Sequence, residues 1–436
     1  MVEVFIIFLI IIALMILGVP IGFSFAAGGL YLLLSFGIDP LWATMQGLSL
    51  ISAFVLLAAP LYVLLGAIIC KAGIAQRLID VINSIIRITG IKGGTGIAVI
   101  VANAFFGAMS GSSMASLGGL GQAFLPVMEK EGYTKSYAIS VLIPSAVLSL
   151  LIPPSSNAIM FGFLGRLSIA RCFLTGVGPG LLLMIFLSLI HLLIYRKYCP
   201  NLKEPPKVSI QKQFEIAGKS IWKNILTLAI PVIVLGVIYG GMATPTESAA
   251  IGVVYCLILG LLIYRTIKVN EVGKILFDAS KLIGSILLLV FFFLVMSRVL
   301  IIERVSEQLL ALIMQYTTDK YGIVLLISLL IFFLGMIVDD GSVVIISAIL
   351  FLPIAKQIGF DPYHFGVITI LLSGCGLITP PVAPLLYLGG HMAGDIPLRT
   401  FAGPVSLFLF GGFIPTLLLV IYFPEIALFL PRLIMG

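Results

Sequence analysis

The chain has 436 residues, 61% of them hydrophobic and only 10% charged, with a mean hydropathy of +1.23. An ordinary soluble domain carries roughly 25% charged residues, and a hydrated exterior leaves no room for this much apolar surface. The composition excludes a soluble fold, a disordered or collagen-like chain, a disulfide-rich secreted domain and a nucleic-acid binder; the net charge of +7 is then a topology signal.

What remains is an all-α polytopic membrane protein. A helix needs about 20 apolar residues to cross a bilayer. Stretches of that kind predict spans near 4–35, 48–70, 94–118, 137–163, 175–195, 224–242, 249–264, 282–302, 321–338, 343–355, 364–390 and 402–423. The opening Met1-Val2-Glu3-Val4 has no basic n-region, and the apolar run continues to about Phe36, so it reads as a first membrane helix and not a signal peptide. The stretch 343–355 is too short to cross. Arg196 to Lys223, with Lys197, Lys203, Lys207, Lys212 and Lys219 around Pro205-Pro206, predicts a linker ending in a surface helix from about Gln211. Residues 265–281, with Arg265, Lys268, Lys274 and Lys281, predict a second basic loop. The positive-inside rule puts both in the cytoplasm. Glu129–Lys135 reads as a solvated turn, and Glu247 as an acid at a helix start.

The linker (196–223) divides a first repeat (1–195) from a second (224–436). Phe105-Phe106 recurs as Phe332-Phe333, Pro126 as Pro353, Gly132 as Gly359 and Pro153-Pro154 as Pro380-Pro381, all at an offset of 227 residues. Internal duplication of this kind is typical of secondary transporters. The expectation is two inverted repeats, each with a re-entrant hairpin (near 94–125 and 321–355) and a broken helix (near 137–163 and 364–390).

Both repeats carry a two-part interruption of apolar sequence. In the first, Gly107–Ser113 (GAMSGSS) is followed by Ile152–Asn157 (IPPSSN); in the second, Gly335–Ser342 (GMIVDDGS) is followed by Leu377–Pro384 (LITPPVAP). Double prolines remove backbone donors, and backbone opened at membrane depth must be buried in protein or line a polar cavity. Freed carbonyls and hydroxyls suit a small cation such as Na+, and helix N-termini suit a carboxylate. Asp339 and Asp340 are carboxylates at membrane depth, costly and therefore functional candidates: cation ligands, proton carriers or acids at a hydrated tip. Arg298, beside Ser297, either meets a substrate carboxylate, snorkels to an interface or pairs with Glu303 or Glu307. The five cysteines and three histidines are scattered without metal-ligand spacing, so no transition-metal site and no cofactor is expected.

The runs GAMSGSSMASLGG, LPVMEKEGYTKSYA and LLIPPSSNAIMFG, with LPIAKQIGFDPYHFGVI and GLITPPVAPLLYLGG in the second half, resemble the large membrane subunit of TRAP (tripartite ATP-independent periplasmic) transporters over nearly the whole chain. The resemblance implies an elevator-type transporter of the ion-transporter superfamily, with a scaffold and a transport domain, in a bacterial inner membrane. It implies Na+-driven uptake of an organic acid such as sialic acid or a dicarboxylate. It also implies two partners: a small four-helix membrane subunit, expected here as a separate chain, and a soluble periplasmic substrate-binding protein. Carried over by motif, the first Na+ site involves Ser110, Ser112 and Ser113 with Pro153, Ser155 and Asn157. The second involves Gly335, Asp339 and Gly341 with Thr379, Pro380 and Val382, and Ser297, Arg298, Ser342 and Ser156 border the substrate cavity. The second hairpin has Asp-Asp-Gly-Ser where the first has Ser-Gly-Ser-Ser, a departure from symmetry.

The residues also bear on three other functions. A stand-alone carboxylate symporter differs only in lacking the small subunit. A membrane enzyme needs a nucleophile–base pair or metal cluster, and HExxH is missing. An ATP-driven permease with its own nucleotide site needs a GxxxxGK[ST] loop, which this chain does not contain.

Overall fold

The computed structural model describes residues 2–203 and 209–436, and every regular element among them is helical. Pro205, Pro206 and Lys207 of the linker lie outside the described residues. The chain opens with α1 (Val2–Ile16), α2 (Ile21–Ser35), α3 (Pro40–Ile51) and α4 (Ala58–Lys71). The amphipathic α5 (Ile74–Ile88) leads to a hairpin of α6 (Gly94–Ser110) and α7 (Ser113–Glu131). A broken helix follows, built of α8 (Lys135–Ala146), α9 (Leu148–Leu151) and α10 (Ser156–Gly165), and α11 (Ile169–Tyr198) closes the first half.

After the linker come α12 (Ile210–Lys223), α13 (Ile225–Tyr239), α14 (Pro245–Ile258), α15 (Val269–Ile302) and the short α16 (Val305–Ile313). The second hairpin has α17 (Lys320–Gly335) as its first arm; α18 (Asp340–Ile346) and α19 (Leu352–Gln357), joined by a π turn, form its second. The second broken helix is α20 (Pro362–Leu377) and α21 (Pro384–Met392). Last come α22 (Ala402–Phe408), α23 (Ile414–Tyr422) and α24 (Glu425–Met435). Among the described residues seven helices are long and apolar enough to cross a membrane, or up to eight if the bent pair α12–α13, with its 61° bend, is one span.

The offset of 227 residues runs through the structure. Lys135 opens α8 and Pro362 opens α20, and Gly132 and Gly359 both take left-handed φ, +99° and +70°, just beyond a hairpin arm; α10 and α21 start at Ser156 and Pro384, one residue past that offset. The helix starts follow from local chemistry. Thr134 and Asp361 cap α8 and α20 with their side chains, while Thr244 and Glu247 form a reciprocal capping box on α14. Pro245 and Pro362 occupy the first turn, where no amide donor is needed.

Three expectations are corrected. The single span near 4–35 is two helices, because Gly18 (φ +84°) turns the chain and Pro20 has no amide to continue the ladder. The span near 48–70 breaks at Ser52-Ala53, and α4 starts close enough to Pro60 to keep that proline in its first turn. The basic loop at 265–281 ends at Lys268: Glu271 accepts the Lys268 amide at 2.8 Å and starts α15, so Lys274 and Lys281 lie on a helix.

Burial orders the elements. In the most apolar stretch of the first broken helix 89% of residues are buried, against 28% in α11, so the break sits at the centre of the protein and α11 at its rim. Lipid supplies no hydrophobic drive between helices, so such packing depends on close approach of small residues.

Candidate functional site

Each hairpin tip is bonded to the break of its own half. In the first, Gly111 (φ +61°) makes the turn between α6 and α7, and its carbonyl accepts the Ser156 amide at 3.3 Å and the Ser156 hydroxyl at 2.9 Å. A Cβ at Gly111 would lie 2.5 Å from the Pro154 carbonyl oxygen, so only glycine fits between tip and break. In the second, the Met336 carbonyl accepts the Val382 amide at 3.1 Å. The first arm of each hairpin also touches its broken helix backbone to backbone. A Cβ at Gly107 would lie 2.5 Å from Ser149 Cα, and one at Gly376 would lie 2.3 Å from the Gly335 carbonyl. Both Pro-Pro bonds, 153–154 and 380–381, are cis.

At the first site, Ser110 ends α6 with its hydroxyl buried and without a hydrogen-bond partner among the described residues. Ser112 and Ser155 cap α7 and α10, accepting the amides of Ala115 (3.4 Å) and Ala158 (3.2 Å). Ser113 is buried at the first position of α7, Pro153 is buried, and Asn157, 3% exposed, donates to Asp340 Oδ2 at 3.0 Å. Sequence reasoning missed the polar network beneath this tip. Asn103, in mid-helix, donates to Ser145 Oγ (2.9 Å), accepts from Ser116 (2.6 Å) and, through its carbonyl, from Ser149 (3.2 Å). An asparagine inside an apolar run was the available signal.

The second site is built differently. Asp339 caps α18, taking the Ser342 amide at 3.1 Å on one oxygen and the Ser342 hydroxyl on the other. Gly341 lies against that carboxylate: a Cβ there would be 3.1 Å from Asp339 Oδ2. Thr379 donates back to the Cys375 carbonyl at 2.7 Å, and Pro380, Pro381 and Val382 are exposed, unlike the buried Pro153-Pro154. The departure from symmetry in the tip sequences is thus also one of geometry and exposure.

The substrate-cavity residues are only partly brought together. Ser156 lies at the first break, bonded to the tip of hairpin 1, and Ser342 lies at the tip of hairpin 2, but Ser297 donates to Leu294 on its own helix and lines a recess of about 10 Å³ with Ile346, Ile349 and Leu350. That recess holds no more than a water, so α15 is closed on the second arm of hairpin 2. Arg298 forms no ion pair with Glu303 or Glu307 among the described residues; Glu307 pairs with Arg304, and the Arg298 guanidinium lies 5.5 Å over the ring of Trp42 in α3. A helix turn carries Arg298 toward α3 and away from those acids.

Open space of about 230 and 380 Å³ lies instead at the foot of hairpin 1, beside Arg87, Asn83 and Glu131 and beside Gln76, Asp80 and Gln213. There the turn expected to be solvated buries Tyr133, whose hydroxyl donates to the Gly93 carbonyl (2.9 Å) and accepts the Gly96 amide (3.2 Å). Burial pushes its phenol well above the ordinary tyrosine range, so it stays a donor. His191 of α11 bonds the same carbonyl at 2.9 Å, and the hairpin's foot is fixed to its own half.

Residues 8–426 match the family model described as the tripartite ATP-independent periplasmic transporter, DctM component. The chain is 34% identical to the sialic acid TRAP transporter large permease protein SiaM of Vibrio cholerae, over 96% of each chain. It is 31% identical to the C4-dicarboxylate TRAP transporter large permease protein DctM of Pseudomonas aeruginosa, over 87% of this chain and 86% of the relative. In fold it is similar to the crystal structure of the YdaH transporter of Alcanivorax borkumensis, with a TM-score of 0.55 at 14% identity, covering 85% of this chain and 86% of that one.

Proposed function

The chain belongs to the DctM family of tripartite ATP-independent periplasmic transporters, and from that premise we propose that it imports an organic acid by Na+-coupled elevator motion. The cargo is of the sialic acid or C4-dicarboxylate type, the substrates named for its relatives. A periplasmic binding protein delivers it, and a small four-helix subunit packs against this chain's scaffold in the bacterial inner membrane.

One observation carries the reading: each hairpin tip is bonded to an opened stretch of backbone in its own half, at Gly111–Ser156 and at Met336–Val382. Such breaks present carbonyl oxygens to a coupling ion and helix N-termini to a substrate carboxylate. The unpartnered Ser110 hydroxyl adds an oxygen beside the first break. Na+ bound at a tip–break junction would fix the hairpin in place, which ties ion binding to closure around the substrate. The hairpins and broken helices, with α11 packed against α6, α9 and α10, form the moving body; α2, α3, α4, α13, α14 and α15 form the scaffold.

Proteoliposomes holding this chain and its two partners test the coupling. An inward Na+ gradient should drive uptake of labelled sialic acid or dicarboxylate. Uptake that continues unchanged with choline or K+ in place of Na+ would remove Na+ from the mechanism and shift attention to proton binding at Asp339 and Asp340.

A further inference from the structure

Two adjacent residues at the start of α10 reach both hairpins. Ser156 bonds the tip of hairpin 1 through Gly111, and Asn157 donates its amide to Asp340 Oδ2 of hairpin 2 at 3.0 Å, across 183 residues of sequence. At the other end of α10 a second bond joins the same two elements: Lys356 Nζ donates to the Gly165 carbonyl at 3.2 Å. Between them the arm lies close along the helix, since a Cβ at Gly165 would come 2.7 Å from Leu352. Hairpin 2 therefore sets an acid at the N-terminus of α10 and a cation at its C-terminus. That is the arrangement the helix dipole favours, and hydrogen bonds to charged groups are the stronger ones.

Among the described residues no corresponding hydrogen bond joins hairpin 1 to α21. The positions 227 residues before Asp340 and Lys356 are Ser113 and Glu129, and Glu129 pairs with Lys135 at 3.7 Å.

We infer that the Asn157–Asp340 and Lys356–Gly165 bonds strap hairpin 2 along α10 and thereby join the two repeats into one body, with Asn157 and Asp340 as positioning residues. The inference rests on the transport reading above. Asp340 acts through Asn157; it is neither an ion ligand nor a proton carrier. In each conformational change the strap makes hairpin 2 follow the first break, so its loss slows turnover and leaves ion affinity nearly intact.

The test uses Asn157→Ala, Asp340→Ala, the double variant and the exchanged pair Asn157→Asp with Asp340→Asn, each in the complete transporter. Each single alanine should lower maximal uptake about tenfold, the loss of one part-buried charge-assisted bond, with the half-saturating Na+ concentration little changed. The double variant should be no worse than either single one, and the exchanged pair, which keeps one amide and one carboxylate in contact, should recover most of the rate. Singles that add in the double, or an exchanged pair as inactive as Asp340→Ala, would overturn the strap and make the carboxylate's position itself the requirement. Hydrogen exchange of the purified chain over residues 336–342 supplies a readout independent of transport. It should rise in Asn157→Ala and return to the wild-type level in the exchanged pair; no rise in the alanine variant would also overturn the proposal. If the wild type shows no Na+-driven uptake, the transport reading fails and the exchange data alone decide the strap.

Discussion

Ser110 shows how a single side chain carries the functional argument. The residue is 1% exposed and its hydroxyl has no partner among the described residues, whereas the neighbouring Ser112 spends its oxygen on a helix cap. A buried unsatisfied hydroxyl is costly, and an oxygen left free beside an opened backbone suits a cation. Ser110→Ala removes a buried hydroxyl that has no internal hydrogen bond, so thermal stability without Na+ should be unchanged or raised. The half-saturating Na+ concentration should rise about tenfold or more, the loss of one ligand at 1–3 kcal/mol. Uptake kinetics across a Na+ titration check this, and a titration that overlays wild type would return the site to its carbonyls alone. Ser110 was legible because a hydroxyl interrupting an apolar run is conspicuous. The capping duty of Asp339 was not: an acid before a Gly-Ser pair reads equally as a ligand, and only the geometry shows both its oxygens engaged with Ser342. Of the three readings open to Arg298, the structure disfavours only pairing with Glu303 or Glu307. Sequence spacing offered Glu303 and Glu307, but the rotation of α15 turns the side chain toward Trp42.

Among elements, the hairpins and broken helices were readable in outline because proline and glycine punctuate them at one repeated spacing. Their mutual packing was not, since it depends on which face meets which. The first arms press on the broken helices where side chains are minimal, at Gly107 against Ser149 and at Gly376 against Gly335. In these contacts the obstacle to a new methyl group is backbone, which cannot rotate away. Gly107→Ala and Gly376→Ala should each destabilise the protein by about 1–3 kcal/mol, the usual cost of overpacking. Thermal unfolding in detergent measures it. Gly118→Ala, at a position with open space around it, serves as the comparison and should be neutral or slightly stabilising. Equal melting temperatures in all three would mean that hairpin and broken helix are not in backbone contact. The misreading of 4–35 as one span belongs to the same scale. Hydropathy counts apolar residues, and a Gly-Val-Pro sequence inside the run changes the fold without changing the count.

At the scale of the whole molecule, the account requires a body that moves and a frame that stays. Two native cysteines stand at informative borders. Cys70 of α4, in the frame, lies where a Cβ at Gly119 of hairpin 1 would be 2.9 Å from its sulfur. Cys172 of α11 lies where a Cβ at Gly162 of α10 would be 3.3 Å from its sulfur, inside the body. One substitution at a time therefore places a disulfide either across the border or within the moving part, each within bonding reach. The decisive measurement is uptake by reconstituted Gly119→Cys and Gly162→Cys proteins before oxidation, after oxidation and after reduction, with disulfide formation verified by mass. Oxidation should stop uptake in Gly119→Cys, reduction should restore it, and oxidised Gly162→Cys should run as its reduced form does. Uptake that persists across the 70–119 disulfide but stops at the 162–172 disulfide would contradict an elevator and require gating around a fixed site.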